Sequence, residues 1–431
     1  MSLDEALSKF VNEKEAALLR PSASQIAAAT KDYGYLEIYA YPSLDAALAS
    51  AIAVNIFTRN NIEFVLYFTP VPPSEIDAPA LLLGYPSSVA HDVTPRKPSA
   101  LIGPGEKPQG LLPLAVTSSP TSSTASLLAG VLSEITIVGY PAVYSIVAAY
   151  WRGLDVGKRG EFVGFENGII EMLKLENKVE EHFNLRLFRW LFEPTEEALY
   201  LTLEPFIPGI SGKPEEARRL LESDARLTQV LGKTMEEAPE QSVAVLGEKL
   251  YTILKEASSI PRKPSELIGV SYYSRPAPLK DLREAAIVLA VYGEKQGLPS
   301  LSSLGVAEEL VAGAAYYRYT KLFDSIVETV EANAAKKRPQ VQRSGHFTIA
   351  LLERVGEAPL LPVERILRRL GVVREQEVAA YPVDKSSVVV VSMESLLDYY
   401  GIGVVREAIE ANCLRYIEGG LLGELRLGCQ L

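Results

Sequence analysis

The chain has 431 residues, a net charge of −11, 48% hydrophobic residues and 23% charged ones. That is enough ordinary globular sequence for two or three domains with buried cores, and its acidity excludes a surface that grips nucleic acid throughout. No stretch is apolar and long enough to span a bilayer, and the first residues lack a signal peptide's basic and apolar regions, so a cytoplasmic protein is expected.

Ser2-Leu-Asp-Glu5 reads as a capping box opening a helix through about Leu19. Tyr35–Tyr41 reads as a strand, Pro42 and Ser43 turn the chain, and an Ala-rich helix follows to about Arg59. Ile62–Phe68 is a second strand, completing a βαβ unit and hence a parallel sheet. Ala80–Leu83 and Ser99–Ile102 continue that sheet, Ser123 caps a helix over Thr124–Leu132, and Ile135–Val138 is a further short apolar run. Apolar residues at helical spacing then mark Asn167–Leu175, Pro214–Leu221, Ser242–Ala257, Leu279–Gln296 and Val306–Ala335. The basic, proline-closed Lys336-Lys337-Arg338-Pro339 reads as a boundary. Beyond it, strands at His346–Leu352, Val378–Tyr381, Val388–Ser392 and Leu422–Leu427 alternate with helices at Val363–Leu370 and Leu396–Asn412. The expected architecture is α/β: N-terminal helices over 1–34, a parallel-sheet domain with a helical extension over 35–335, and a smaller α/β domain over 340–431.

Ligands of open α/β sheets bind outside the carboxyl ends of the strands. Here those ends read Pro-Ser-Leu-Asp (42–45), Gly-Tyr-Pro (84–86) and Gly-Pro-Gly (103–105), and only Asp45 is charged. Gly209-Ile-Ser-Gly212-Lys213-Pro214 lacks the glycine and Ser/Thr of a phosphate loop and reads as a turn opening a helix. No nucleophile elbow or Cys-His pair appears. His91-Asp92 reads as a solvated loop, and Asp45 as a residue stabilised at a helix N-terminus. The histidines (His91, His182, His346) are too scattered to form a zinc site with Cys413 and Cys429, for which free thiols are expected and a disulfide is the alternative.

The segment Tyr41-Pro-Ser43-Leu-Asp45-Ala46 with its small-residue helix resembles the first motif of the DHH phosphoesterase superfamily, His-x-Asp-x-Asp-Gly. On that resemblance Tyr41 stands for the histidine, Ser43 for the first aspartate, and Asp45 survives as the second. The next strand-end aspartate falls at Gly84, the Asp-His-His signature at Gly103-Pro104-Gly105, and the fourth motif's aspartate near Val143. Outside the site, Gly164–Glu171, Leu203–Gly212 and the Asp281–Pro299 helix with its Gly-x-Pro turn are similar to segments of archaeal RecJ-like proteins. Glu418-Gly419-Gly420-Leu421 resembles a Gly-Gly-His loop without its histidine, in a C-terminal DHHA-type domain.

RecJ-like nucleases use two divalent metals, which one carboxylate cannot hold. The resemblance therefore implies no metal, no cofactor and no catalysis. Degenerate members include the C subunit of the CMG helicase, so it further implies a structural partner of GINS, and through it MCM, in archaeal DNA replication, with a nucleoid-associated location. Residues 1–335 carry 30 Lys and Arg against 42 Asp and Glu, an acidic part suited to a protein partner. Two other readings stay open. One is a module for single-stranded DNA or RNA, using Lys336, Lys337, Arg338, Arg343, Arg365, Arg368, Arg369 and Arg374 along a groove; the alternative for Arg365, Arg368 and Arg369 is a solvated helix face. The other is a residual metal-dependent phosphoesterase rebuilt from Asp45, His91 and Asp92.

Overall fold

The computed structural model describes residues 13–110, 112–383 and 387–429. The Ser2–Glu5 capping box lies outside them; the first described helix runs from Glu13 to Tyr33 and passes through Pro21. Seven strands follow: β1 (Tyr35–Ala40), β2 (Glu63–Phe68), β3 (Glu75–Ile76), β4 (Ala80–Leu83), β5 (Thr94–Pro95), β6 (Ser99–Pro104) and β7 (Ala115–Ser119). Five of them form one sheet in the order β2-β1-β4-β6-β7, every pair parallel. The chain steps outward from β1 to β2 and then returns past β1 to β4. The crevice of an open sheet therefore falls at the carboxyl ends of β1 and β4.

The helix Leu44–Arg59 is the hub of one sheet face. Ser43 caps it, its Oγ accepting from the Ala46 amide, and thirteen of its residues are buried. Alanines permit that burial on all sides, because they let neighbouring backbones approach closely. At Gly305 of the long helix Leu304–Ala335, a Cβ would lie 2.4 Å from the Ala51 carbonyl oxygen, and Asn55 Nδ2 donates to the Gly305 carbonyl at 2.7 Å. The helices Glu13–Tyr33, Thr124–Ser133 and Val143–Arg152 complete this face.

A helical layer follows, including Glu166–Leu175, Glu240–Ala257 and Leu282–Gln296. Within it, β8 (Glu180–Leu185) and β9 (Ile268–Tyr273) pair antiparallel, although this region reads as mainly helical in sequence. The C-terminal part contains β10 (Gln340–Ser344), β11 (Phe347–Leu351), β12 (Glu377–Pro382), β13 (Val388–Ser392), β14 (Leu414–Tyr416) and β15 (Leu422–Arg426). They form a second sheet, β10-β11-β12-β13-β15-β14, in which only β11 and β12 run parallel. The α/β class, the parallel first sheet and the second sheet are as the sequence implied.

One strand went unread and one expectation needs correction. The fifth strand of the first sheet is β7, whose Ala-Val-Thr-Ser-Ser sequence looks polar, while the apolar run Ile135–Val138 lies outside the strands. Cys413 and Cys429 are joined in a disulfide, with Cα atoms 5.8 Å apart. Sixteen residues separate them in sequence, but the β14–β15 pairing returns the chain to the same place.

The other face of the first sheet is covered from the second. Tyr41, Leu82, Tyr85, Val89, Leu101 and Val116 share one apolar cluster with Leu397 and Ile402. Those two belong to the helix Met393–Glu410, which turns Leu396, Val405 and Ala408 toward its own sheet. One helix thus serves two cores.

Candidate functional site

The strand ends that should frame a ligand are filled by protein. Tyr41, at the histidine position of the resemblance, is fully buried, and its hydroxyl donates to the Met393 carbonyl at 2.8 Å. Its ring meets Tyr85 edge to face, centroids 5.8 Å apart, and the Tyr85 hydroxyl donates to the Thr69 carbonyl at 2.7 Å. Ser43 uses its hydroxyl as the helix cap. Gly84 has φ +76°, and a Cβ there would lie 2.6 Å from Ala46 Cβ. At Gly103 a Cβ would lie 2.1 Å from the Tyr85 carbonyl oxygen, so no side chain can project there. Pro104 ends β6, and Gly105, at φ +107°, packs beside Ser87. Val143 is buried at the start of its helix and faces Leu282, Leu289 and Leu304 across a small apolar cavity.

Asp45 is 5% exposed, and both its oxygens are engaged. They accept from the amides of Thr124 at 2.8 Å and Ala125 at 3.1 Å, the first turn of the next helix. Burial raises its carboxyl above the ordinary range, opposed by Arg152 and by these two hydrogen bonds. The Arg152 guanidinium ends its own helix and reaches Asp398 at 2.9 Å and Glu394 at 3.5 Å, both on the helix Met393–Glu410. Glu394 also accepts from Trp151 Nε1 at 2.9 Å and the Leu44 amide at 3.5 Å. Burial pushes Glu394 up to about 7 against the pull of Arg152, with Asp398 and Asp45 adding repulsion. A protein cation thus stands among three carboxylates at the carboxyl edge of the sheet. Arg152, Glu394 and Asp398 were not found from the sequence; the only local signal was an arginine closing the apolar run from Val143 and two acids four residues apart on a later helix.

These residues do not fit a two-metal centre. Asp45 has spent its oxygens on amides, the neighbouring charge is a guanidinium, and Gly103 has no room for a ligand side chain. Among the described residues no three His, Cys, Asp or Glu cluster as metal ligands. His91 is exposed and Asp92 accepts from Arg406 at 3.1 Å, so the rebuilt set of Asp45, His91 and Asp92 is not brought together.

The arginines of the helix Leu360–Arg369 point inward rather than forming a solvated face. Arg365 and Arg369 both pair with buried Glu204, and Arg365 also donates to the Tyr150 and Trp151 carbonyls that end the Val143–Arg152 helix. Burial would raise the Glu204 carboxyl, but Arg365 and Arg369 outweigh it and hold the group at about 2. Arg368 binds Glu364 at 2.7 Å and the Glu377 carbonyl at 2.6 Å, and lies over the Tyr399 ring. A polar cavity of about 290 Å³ remains beside Trp151, Arg152, Arg365, Arg368, Glu394 and Asp398. Lys336, Lys337, Arg338, Arg343 and Arg374 are exposed. Lys336 pairs with Glu353 and Arg338 with Glu377. Lys337 and Arg343 have no ion pair among the described residues.

No family model and no curated protein matches the sequence. Among solved structures, CDC45 from Entamoeba histolytica is similar at 10% identity and a TM-score of 0.58, over 95% of this chain and 96% of that one. The chain has the CDC45 fold. An exonuclease RecJ bound to manganese matches at 11% identity and a TM-score of 0.42, over 95% of this chain and 90% of that one. RecJ from Thermus thermophilus in complex with Mn2+ gives 11% and 0.41, over 95% and 52%. The CDC45 likeness extends across both sheets and the helical layer between them. Segments that resemble RecJ-like proteins in sequence meet at junctions of this fold. The Gly419 carbonyl accepts from the Leu298 amide at 2.7 Å, joining the Gly-Gly loop to the Gly-x-Pro turn.

Two outcomes are expected. Restoring the signature aspartate by Gly103→Asp drives a side chain into the Tyr85 backbone; denaturant melts will show a loss of about 1–3 kcal/mol or more, without gain of nuclease activity. For Glu394, the folded carboxyl holds its proton above the unfolded value of 4.5. Its contribution to stability is therefore full below that value and lost as pH rises toward 7, by roughly 3 kcal/mol. Glu284, also pushed up to about 7 by burial, has the same sign. Glu394→Gln will flatten part of the stability loss between pH 5 and 7.5, and melts at those two values check it.

Proposed function

We propose that this chain is a non-catalytic, RecJ-like structural subunit of an archaeal replicative helicase complex. It joins GINS and, through GINS, MCM, and works in the nucleoid. The observation that carries the reading is that the strand ends are filled by protein side chains and helix starts. Arg152 and the helix Met393–Glu410 occupy the sheet edge at which a nuclease of this resemblance would hold metal and scissile phosphate. The CDC45 fold supports a replication role over a hydrolytic one. No helix among the described residues is long and apolar enough to cross a membrane.

A second reading, binding of single-stranded nucleic acid without catalysis, draws on exposed Lys337 and Arg343 beside Lys336 and Arg338. The arginines of Leu360–Arg369 contribute less to it than their sequence spacing promised, because Glu204, Glu364 and backbone carbonyls already take their charge.

The test is affinity capture of the tagged chain from its own cell at modest salt, followed by mass spectrometry. GINS and MCM in stoichiometric amounts are expected. Their absence with a well-folded bait contradicts the reading and leaves nucleic-acid binding in its place, recognisable by a steep fall in affinity with salt.

A further inference from the structure

Among the described residues the outer edge of β2 is open. Among the described residues β2 pairs only with β1, in the register Tyr35↔Glu63 to Ala40↔Phe68. The amides of Glu63 and Thr69 donate inward, to Gly34 and Ala40. Strand groups alternate in direction, so the N–H and C=O of Phe64, Leu66 and Phe68 face outward. Proteins ordinarily blunt such an edge with lysine, proline or a bulge. The sequence Glu-Phe-Val-Leu-Tyr-Phe carries none of these, and Val65 and Tyr67 are 39% and 44% exposed.

The face beside this edge has its own chemistry. Tyr39 and Tyr67 stack with centroids 5.2 Å apart. Glu37 accepts from the hydroxyls of Tyr35 and Tyr39, and Glu63 is exposed on the same face. Neither β1 nor β2 holds a cation. The Met393–Glu410 helix and the 87–93 segment cover this face over β4 and β6; over β1 it is half-buried, with Tyr39 packed against that cluster, and over β2 Glu63, Val65 and Tyr67 are exposed.

The geometry points to β2 as a docking edge for an extended segment of a partner protein, with basic residues alternating with apolar ones, which adds as a sixth strand. The outward amides and carbonyls of Phe64, Leu66 and Phe68 supply the ladder. Basic side chains on that face meet Glu63 and Glu37 and lie over the tyrosine rings. A second copy of this chain is the poorer occupant: it would bring the same acids and no cation. The inference shares with the reading above only that the chain is a docking partner, and it stands on different residues.

The test titrates the full chain with two synthetic peptides, one alternating valine and lysine, the other valine and glutamate. Amide hydrogen exchange and fluorescence anisotropy are the readouts. The lysine peptide is expected to slow exchange at Phe64, Leu66 and Phe68, and the glutamate peptide is not. The surface double variant Glu63→Lys/Val65→Lys should weaken binding about tenfold or more. The inference is overturned if those three amides gain no protection, if both peptides protect them equally, or if the variant binds as well as the parent. Protection without peptide that grows with protein concentration identifies a second copy and also overturns it. Capture of GINS and MCM is read on the unaltered chain, so its failure bears on the helicase reading alone.

Discussion

One guanidinium, that of Arg152, organises the place where the two sheets meet. It is a fixed monovalent cation, supplied by the chain, among Asp398, Glu394 and the field of Asp45. Asp45 and Glu394 are buried carboxylates that would be costly without a counter-charge, while Asp398 meets the guanidinium from the solvent side. The guanidinium satisfies that need without a metal. It also ties the end of a first-sheet helix to the helix Met393–Glu410, while the Tyr41 hydroxyl holds the same helix by its backbone. The crevice becomes an internal joint.

The same device recurs wherever elements distant in sequence come together. Buried carboxylates bind the free amides at the starts of other helices. Asp45 serves Thr124 and Ala125, Glu166 serves Ser123, and Glu294 serves Leu360 and Leu361. Each satisfies donors that the helix itself leaves open and places negative charge at the positive end of the dipole. In the opposite sense, Arg365 closes the carbonyl end of the Val143–Arg152 helix and meets Glu204 across the chain. Such fixed pairs tie together elements that lie far apart in the sequence.

Local signals explain which parts were legible in the sequence. β1, its turn and the helix from Leu44 were readable because an apolar run, a capping serine and an alanine series act within about twenty residues. β7 was hidden because its buried polar residues find distant partners: the Thr117 hydroxyl donates to Ser22 Oγ at 2.8 Å. The arginines at 365 and 369 looked like a solvated face because nothing nearby in sequence announces Glu204. The Cys413–Cys429 bond was missed because the compartment argument outweighed a pairing that only the β14–β15 register displays. At the site, the side chains at the strand ends were legible, but the pairing of Arg152 was not, since its partners lie more than two hundred residues away.

The central claim is that the strand ends are filled by protein: Asp45 spends its oxygens on amides and Gly103 leaves no room for a ligand side chain, so these residues do not fit divalent metal. Calorimetric titration of the intact chain with manganese, beside an Asp45→Ala variant, tests it most directly. The account predicts no stoichiometric binding to either protein. Two ions bound by the parent chain and lost from the variant would contradict it and return the site to the metal-dependent phosphoesterases.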